Sequence, residues 1–250
     1  MKKNVYASLL VIGNEILSGR TRDSNIQFIG TELGKIGIIL NEVRIIPDIE
    51  QEIINNINYL RANFQYVFTT GGIGPTHDDI TSSSVAKAFD LPLELHAQSA
   101  AKMKAHYGQN LNEARLKMAH IPLNAKPIET NITSAPGFEI ENVFVLAGVP
   151  IIAQAMFHTI APKLNKGDPI ISRYVEALIG EGEIAKQLEE IQDNFPNIDI
   201  GSYPFFRKGK IGLSVVAKGS NKKLIDDIIN KVEQIIKKKG ETYSIDSDVI

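Results

Sequence analysis

Tyr66-Val67-Phe68-Thr69-Thr70-Gly71-Gly72-Ile73-Gly74-Pro75-Thr76-His77-Asp78-Asp79-Ile80-Thr81 decides the fold of this chain. Its first residues are β-branched or aromatic, the composition of a short buried strand. Gly71, Gly72, Gly74 and Pro75 end that strand, and the polar run to Thr81 leads into a helix predicted from Ser82 to Phe89. Two strand and helix pairs precede it. Val5 to Ile12 is an apolar run stopped by Gly13, which suits a strand buried on both faces. Ser24 to Leu33 repeats apolar residues at Ile26, Ile29 and Leu33, a helical spacing with Asp23 or Ser24 as N-cap. A second β-rich stretch runs from Gly37 to Ile46. After it, Pro47-Asp48 opens a helix with Ile53, Ile54, Ile57 and Leu60 on one face. Strand, helix, strand, helix, strand at this spacing predicts an α/β fold: a parallel sheet, covering helices and right-handed crossovers.

Beyond this frame, helix is expected from Gln98 to Lys117 and short strands over Gly137 to Glu139 and Val143 to Leu146. Gly148-Val149-Pro150 then starts a helix from Ile151 to Ile160. The turn-rich Asn165-Lys166-Gly167-Asp168-Pro169 marks a boundary, giving domains 1–166 and 167–250. The second reads strand (Ile170 to Leu178), helix (Glu181 to Phe195), strand (Ile198 to Tyr203), strand (Ile211 to Ala217) and helix (Lys222 to Lys239). This β-α-β-β-α order predicts a small α+β domain. Its Lys237-Lys238-Lys239 reads as a solvated helix end rather than a nucleic-acid patch.

Composition narrows the chemistry. The 250 residues carry 27 Lys+Arg against 29 Asp+Glu, a formal net charge of −2, so no strong field for nucleic acid or acidic lipid is expected. Zero cysteines exclude disulfides, thiolate zinc, iron–sulfur clusters and cysteine nucleophiles, and fit a cytoplasmic setting. The five histidines show no H-x-x-x-H pairing, which argues against zinc. No apolar run is long enough to span a membrane, and no targeting signal is expected.

In a parallel sheet, ligands gather outside the carboxyl ends of the strands. Gly71, Gly72, Gly74, Pro75, Thr76, His77, Asp78, Asp79 and Thr81 belong to a loop placed there. Glycines let backbone amides approach a phosphate without a Cβ in the way. The plainer reading is a tight turn capped by Asp79 or Thr81, but a cap needs one polar residue and this loop has several. It is neither a Walker A loop nor G-x-G-x-x-G, so P-loop and Rossmann sites are not expected. A second cluster, Gly13-Asn14-Glu15-Ile16-Leu17-Ser18-Gly19-Arg20-Thr21-Arg22-Asp23-Ser24-Asn25, follows the first strand. In it Ser18, Thr21 and Asn25 can hydrogen-bond a ligand, and Glu15 a sugar hydroxyl or metal. Asp48 ends the second strand. Carboxylates beside a phosphate repel it, so a hard cation such as Mg²⁺ is reasonable. Asn131 to Phe138 and Leu146-Ala147-Gly148-Val149-Pro150 read on their own as turn punctuation.

Gly13-Asn14-Glu15-Ile16-Leu17-Ser18-Gly19, Thr69 to Thr76, Asp78-Asp79-Ile80-Thr81, Ala135-Pro136-Gly137-Phe138 and Ala147-Gly148-Val149-Pro150 together resemble the molybdopterin-binding domain family. Among its branches the chain is most similar to the N-terminal domain of the competence/damage-inducible CinA family and the related domain of eukaryotic FAD synthase. The likeness covers about Val5 to Leu164, and the tail looks like the KH-type second domain of CinA. The resemblance implies an α/β three-layer sandwich with a mostly parallel sheet, followed by the small α+β domain. It also implies a glycine loop that holds phosphate, and Asp48 and Asp79 as catalytic or metal-binding aspartates. Gly13, Gly19, Gly148 and Pro150 join the ligand-binding set on the same ground. The implied activity is divalent-metal-dependent hydrolysis of a nucleotide pyrophosphate such as ADP-ribose or FAD. The alternatives are adenylyl transfer in molybdenum-cofactor assembly, with a pterin phosphate as ligand, and a non-enzymatic nucleotide-binding scaffold. The sequence departs from the CinA branch at His77, where arginine is common, and at Asn14, where threonine is common. No chain remains for a C-terminal amidohydrolase domain, so deamidase activity is not expected. A homo-oligomer, dimer or trimer, is expected by the same resemblance.

Overall fold

The computed structural model describes residues 5–207 and 209–249, with side chains through Ile245. The chain divides into two compact units. One holds residues 5–33 with Ile38–Lys166, the other Gly34–Gly37 with 167–249.

The first unit begins with β1 (Val5–Ile12), α1 (Asn14–Leu17), α2 (Asn25–Lys35), β2 (Ile38–Ile46), α3 (Glu50–Asn63), β3 (Tyr66–Thr70) and α4 (Thr81–Ala88). It continues through β4 (Leu93–Leu95), α5 (Ala97–Tyr107), α6 (Glu113–Lys117), β5 (His120–Pro122), β6 (Lys126–Ile128), β7 (Gly137–Ile140), β8 (Val143–Leu146) and α7 (Pro150–Ile160). Six strands form one sheet in the order β2-β1-β3-β8-β7-β6, and β4 pairs with β5 apart from it. β1 is parallel to β2 and β3, β3 is parallel to β8, and the remaining pairs run antiparallel. Ala7 to Ile12 are all buried, as an apolar strand in the middle of a two-sided sheet requires.

Helices cover both faces. On one, Ile53, Ile57 and Leu60 of α3 and Val85 of α4 pack on Leu10, Val67 and Val145. On the other, the Phe68 and Phe144 rings stack at 5.3 Å, and Phe157 of α7 meets Phe68 at 5.7 Å and Phe28 of α2 at 5.8 Å. Burying one such ring contributes about 1.5–3 kcal/mol. The three layers expected from the sequence are therefore present.

Register places the site. Val11 faces Ile45 on one side and Thr70 on the other, and Thr70 faces Leu146. Four parallel strands thus stop level, and the segments after Ile12, Ile46, Thr70 and Leu146 leave the sheet along one edge.

The predicted helix from Gln98 to Lys117 is two helices. Gly108, at φ 53°, ends α5, and a 3₁₀ turn follows over Gly108–Asn110. Asn112 then caps α6 by accepting a hydrogen bond from the Arg115 amide at 2.9 Å. Glycine tolerates the left-handed turn and asparagine favours a cap over a helix interior, so the break follows from both residues.

The second unit contains β9 (Ile171–Ala177), α8 (Ala185–Asn194), β10 (Asp199–Arg207), β11 (Lys210–Gly219), α9 (Lys222–Lys238) and β12 (Tyr243–Val249). Its sheet has the order β10-β11-β9-β12, antiparallel throughout. The helical stripe Ile225, Ile228, Ile229, Val232 and Ile236 of α9 is buried against Val175, Leu213 and Val215. The expected β-α-β-β-α order is corrected to β-α-β-β-α-β, because the last strand returns to pair with β9. Among the described residues, no helix is long and apolar enough to cross a membrane.

Candidate functional site

The loop after β3 is turned by Gly71 and Gly72, both in the left-handed region. Gly71 has φ +102°, and a Cβ there would stand 2.0 Å from the Ile12 carbonyl oxygen. Its amide donates to the Leu146 carbonyl at 3.3 Å, so the loop lies across the ends of β1 and β8. Gly72 has φ +68°, and a Cβ there would come 2.1 Å from Oγ1 of Thr81. The Thr81 amide donates to the Gly72 carbonyl at 2.9 Å, closing the loop on the first residue of α4. Among the described residues, the amides of Gly72, Ile73 and Gly74 have no hydrogen-bond partner.

Asp79 serves this loop rather than the helix. Its Oδ2 accepts from the Thr76 amide at 2.8 Å and from the Thr76 hydroxyl at 2.5 Å. Neither Asp79 nor Thr81 caps the helix: the N-cap of α4 is Ile80, with no side-chain cap bond. Oγ1 of Thr81 is buried without a hydrogen-bond partner. The Asp78 carboxyl is held below the ordinary carboxylate value, first by the Thr76 hydroxyl and to a lesser degree by the charges of His77 and Lys117. His77 is 99% exposed and lies 4.0 Å from Asp78.

The segment after β1 is pinned to the end of β2. The Gly13 amide donates to the Ile46 carbonyl at 3.1 Å and the Asn14 amide to Oδ2 of Asp48 at 2.9 Å. Asp48 and Gly71 therefore adjoin the same short segment, Ile12 to Asn14, from opposite sides. The Glu15 carboxylate folds back over Gly13, where a Cβ would stand 2.7 Å from it. Ser18 bonds the Glu15 carbonyl at 3.3 Å, while Gly19 is exposed with φ +72°. Asp23 is the cap of α2, its Oδ1 accepting from the Ile26 amide at 2.7 Å. Asn25, only 3% exposed, donates from Nδ2 to the Gly148 carbonyl at 2.9 Å and so holds the loop after β8.

An open cleft of about 370 Å³, its mouth included, lies between these loops. Glu15, Asn25, Gly71, Gly148 and Pro150 line it as the sequence suggested, together with Arg22, Asp23 and Thr70. Buried Oδ1 of Asn25 and Oγ1 of Thr70 lack hydrogen-bond partners. Ser18, Gly19, Gly74, Pro75, Thr76, His77 and Asp78 do not line the cleft; neither do Gly13, Gly72, Thr81, Asp48 or Asp79. Lys117 was not foreseen, yet its Nζ donates to the Thr76 carbonyl at 2.7 Å. Its local sequence holds no signal for this, because the contact joins the end of α6 to a loop 41 positions earlier.

Among the described residues, no group of three or more His, Cys, Asp or Glu is arranged to hold a metal. Asp48 and Asp79 each spend Oδ2 on a backbone amide, and the structure gives no protein partner for either Oδ1. Mg²⁺ commonly uses one or two carboxylates and completes its shell with water and substrate phosphate, so each Oδ1 is an oxygen donor of the kind it takes.

The family description "Probable molybdopterin binding domain" matches residues 8–166, and "FAD synthase, middle domain" matches residues 169–243. The chain belongs to the molybdopterin-binding-domain family. It is 32% identical to the "Putative competence-damage inducible protein" of Clostridium botulinum over 92% of this chain, and spans 59% of that relative's length. A protein of Pyrococcus abyssi is 30% identical and matched over 98% of its own length. The solved CinA of Thermoplasma acidophilum, whose function is described as unknown, superposes with a TM-score of 0.61 at 34% identity. It covers 64% of this chain and 99% of its own. The sequence matches to the two curated relatives extend over 92% and 95% of this chain, whereas the solved CinA covers 64% of it.

Proposed function

We propose that this protein is a metal-dependent hydrolase of nucleotide pyrophosphates, with ADP-ribose or FAD as the substrate type. One observation supports the reading: the amides of Gly72, Ile73 and Gly74, in the loop that leaves β3 at the carboxyl edge of a parallel sheet and that also holds Asp78 and Asp79, have no partner among the described residues. Amides of this kind, in a loop turned by two left-handed glycines, are donors suited to a phosphate oxygen. The adjoining cleft at Asn25, Thr70 and Gly148 receives the remainder of the ligand. The match of the second unit to a middle domain of FAD synthase supports a flavin or adenine nucleotide over a pterin.

Asp48 and Asp79 would hold a divalent cation such as Mg²⁺, which when bound would supply neutralisation of phosphate charge and Lewis-acid activation of phosphorus. The glycine loop fixes the pyrophosphate, and its rim orients the phosphorus toward solvent. Water attacks that phosphorus as the bond to the bridging oxygen breaks. The bridging oxygen leaves with the electron pair, and the protons of water pass to solvent. ADP-ribose then gives AMP and ribose 5-phosphate, and FAD gives AMP and FMN.

The test is incubation of folded protein with ADP-ribose or FAD and Mg²⁺, Mn²⁺ or Co²⁺, with the products separated by chromatography. AMP is expected. Its absence with every metal rejects the hydrolase. A pterin found by mass spectrometry in protein from a cofactor-producing host turns the reading to adenylyl transfer.

A further inference from the structure

The glycine loop supplies amides and carboxylates but little positive charge. His77 points into solvent beside Asp78, and Arg22 lines the cleft next to α2. A pyrophosphate seated among aspartates needs a fixed cation near its oxygens. Lys117 meets that need from outside the loop.

Lys117 is the last residue of α6, and its Nζ donates to the Thr76 carbonyl at 2.7 Å. Thr76 is also the residue whose amide and hydroxyl both bond Asp79. The loop backbone thus seats the ammonium at its own rim, beside the aspartate turn. An ammonium has three N–H donors; one serves Thr76, and two remain for a ligand. The neighbouring cation on α6 is engaged elsewhere, since the Arg115 guanidinium lies 4.6 Å from the Tyr107 ring centroid. The cap at Asn112 fixes where α6 begins, and so where its final residue falls.

We propose that Lys117 is a phosphate-binding residue of the glycine loop, its ammonium bridging the Thr76 carbonyl to a non-bridging oxygen of a bound pyrophosphate. This rests on the reading of residues 71–81 as a pyrophosphate loop. In this role Lys117 supplies the cation that neutralises the phosphates, and its charge reaches the loop from an element far away in sequence.

The experiment measures binding of inorganic pyrophosphate with Mg²⁺ by calorimetry at several KCl concentrations, for the wild type, Lys117→Gln and Lys117→Arg. Glutamine keeps a donor for Thr76 without the charge. Pyrophosphate is expected to bind Lys117→Gln about tenfold or more weakly, with a shallower salt dependence, while Lys117→Arg restores most of the affinity. Equal affinity and equal salt dependence in Lys117→Gln overturn the proposal and leave the loop reading intact. Weaker binding with an unchanged salt dependence also overturns it, because the lysine then only props the loop. No binding by folded wild type overturns the loop reading and this proposal together. Lys117→Met replaces the glutamine variant if that variant melts early.

Discussion

The Asn14 amide donates to Oδ2 of Asp48 at 2.9 Å, tying the segment that leaves β1 to the one that leaves β2. The proposed function gives this carboxylate a second duty, with Oδ2 for structure and Oδ1 for the metal. Asp48→Asn separates them, because the amide oxygen still accepts from Asn14 while the charge is lost. It is expected to melt within a degree or two of wild type and to lose Mg²⁺-dependent AMP release by about 100-fold or more, the upper range for disturbing a metal site. Asp48→Ala additionally loses about 1 kcal/mol of stability. Melting curves and AMP chromatography measure the two separately. Full activity in Asp48→Asn removes Asp48 from the chemistry.

Gly71 and Gly74 belong to one loop but answer to different neighbours. A methyl at Gly71 meets the Ile12 carbonyl at 2.0 Å from a left-handed backbone, and neither can yield without moving β1. Gly71→Ala is expected to cost about 2 kcal/mol or more, read from urea unfolding. A methyl at Gly74 meets only the Asp79 carboxylate, at 2.7 Å, and that side chain can swing away. Gly74→Ala is expected to cost about 1 kcal/mol, the bonds to Thr76, while weakening pyrophosphate binding sharply. Equal stability losses in the two variants contradict this division.

What the sequence made legible follows from how locally each feature is encoded. Val5 to Ile12 and Tyr66 to Thr70 announce buried strands through composition alone, and Gly71-Gly72 announces a turn that only glycine can make. The stripe from Ile225 to Ile236 carries its helical period in full. The three-residue strands Leu93–Leu95, His120–Pro122 and Lys126–Ile128 are too short to show a period, so only their pairing defines them. Strand Tyr243–Val249 likewise exists through its register with β9. That Thr70 lines the cleft and Lys117 reaches the loop was not legible for a related reason. A hydroxyl ending a buried strand looks like strand composition, and a lysine ending a helix looks like ordinary helix-end chemistry.

Asp226 gives the second unit a pH signature. Its carboxylate takes the Lys222 ammonium at 2.7 Å and the Arg173 guanidinium at 2.6 Å. Bonding to Lys222 first, then to Arg173, lowers its pKa from the usual 3.8. A carboxyl with a depressed folded value contributes stability above the unfolded value and loses it as pH falls through the folded one. Asp226→Asn is therefore expected to melt below wild type at pH 7, with the gap narrowing as pH falls below about 4. Melting temperatures of both proteins from pH 7 to pH 2.5 measure it. A gap that stays constant or widens toward acid contradicts the sign.

Asn25 sits where the cleft meets the sheet, and its amide orientation is fixed because Nδ2 must face the Gly148 carbonyl. Oδ1 is consequently an acceptor, buried and without a protein partner. Asn25→Ala removes both groups and is expected to cost about 1–2 kcal/mol, mostly from the unserved Gly148 carbonyl. Asn25→Asp is the harsher change, since a carboxyl oxygen then faces that carbonyl. Its neutral form can donate the bond, whereas its anion can only repel, and burial disfavours the anion further. The introduced carboxyl therefore holds its proton longer folded than unfolded, and stability falls as pH rises between those two values. Asn25→Asp is expected to lie closer to wild type at pH 5 than at pH 8 in urea unfolding. Wild-type stability at pH 8 would show that Gly148 does not depend on this amide, and would remove the link by which α2 positions the loop after β8.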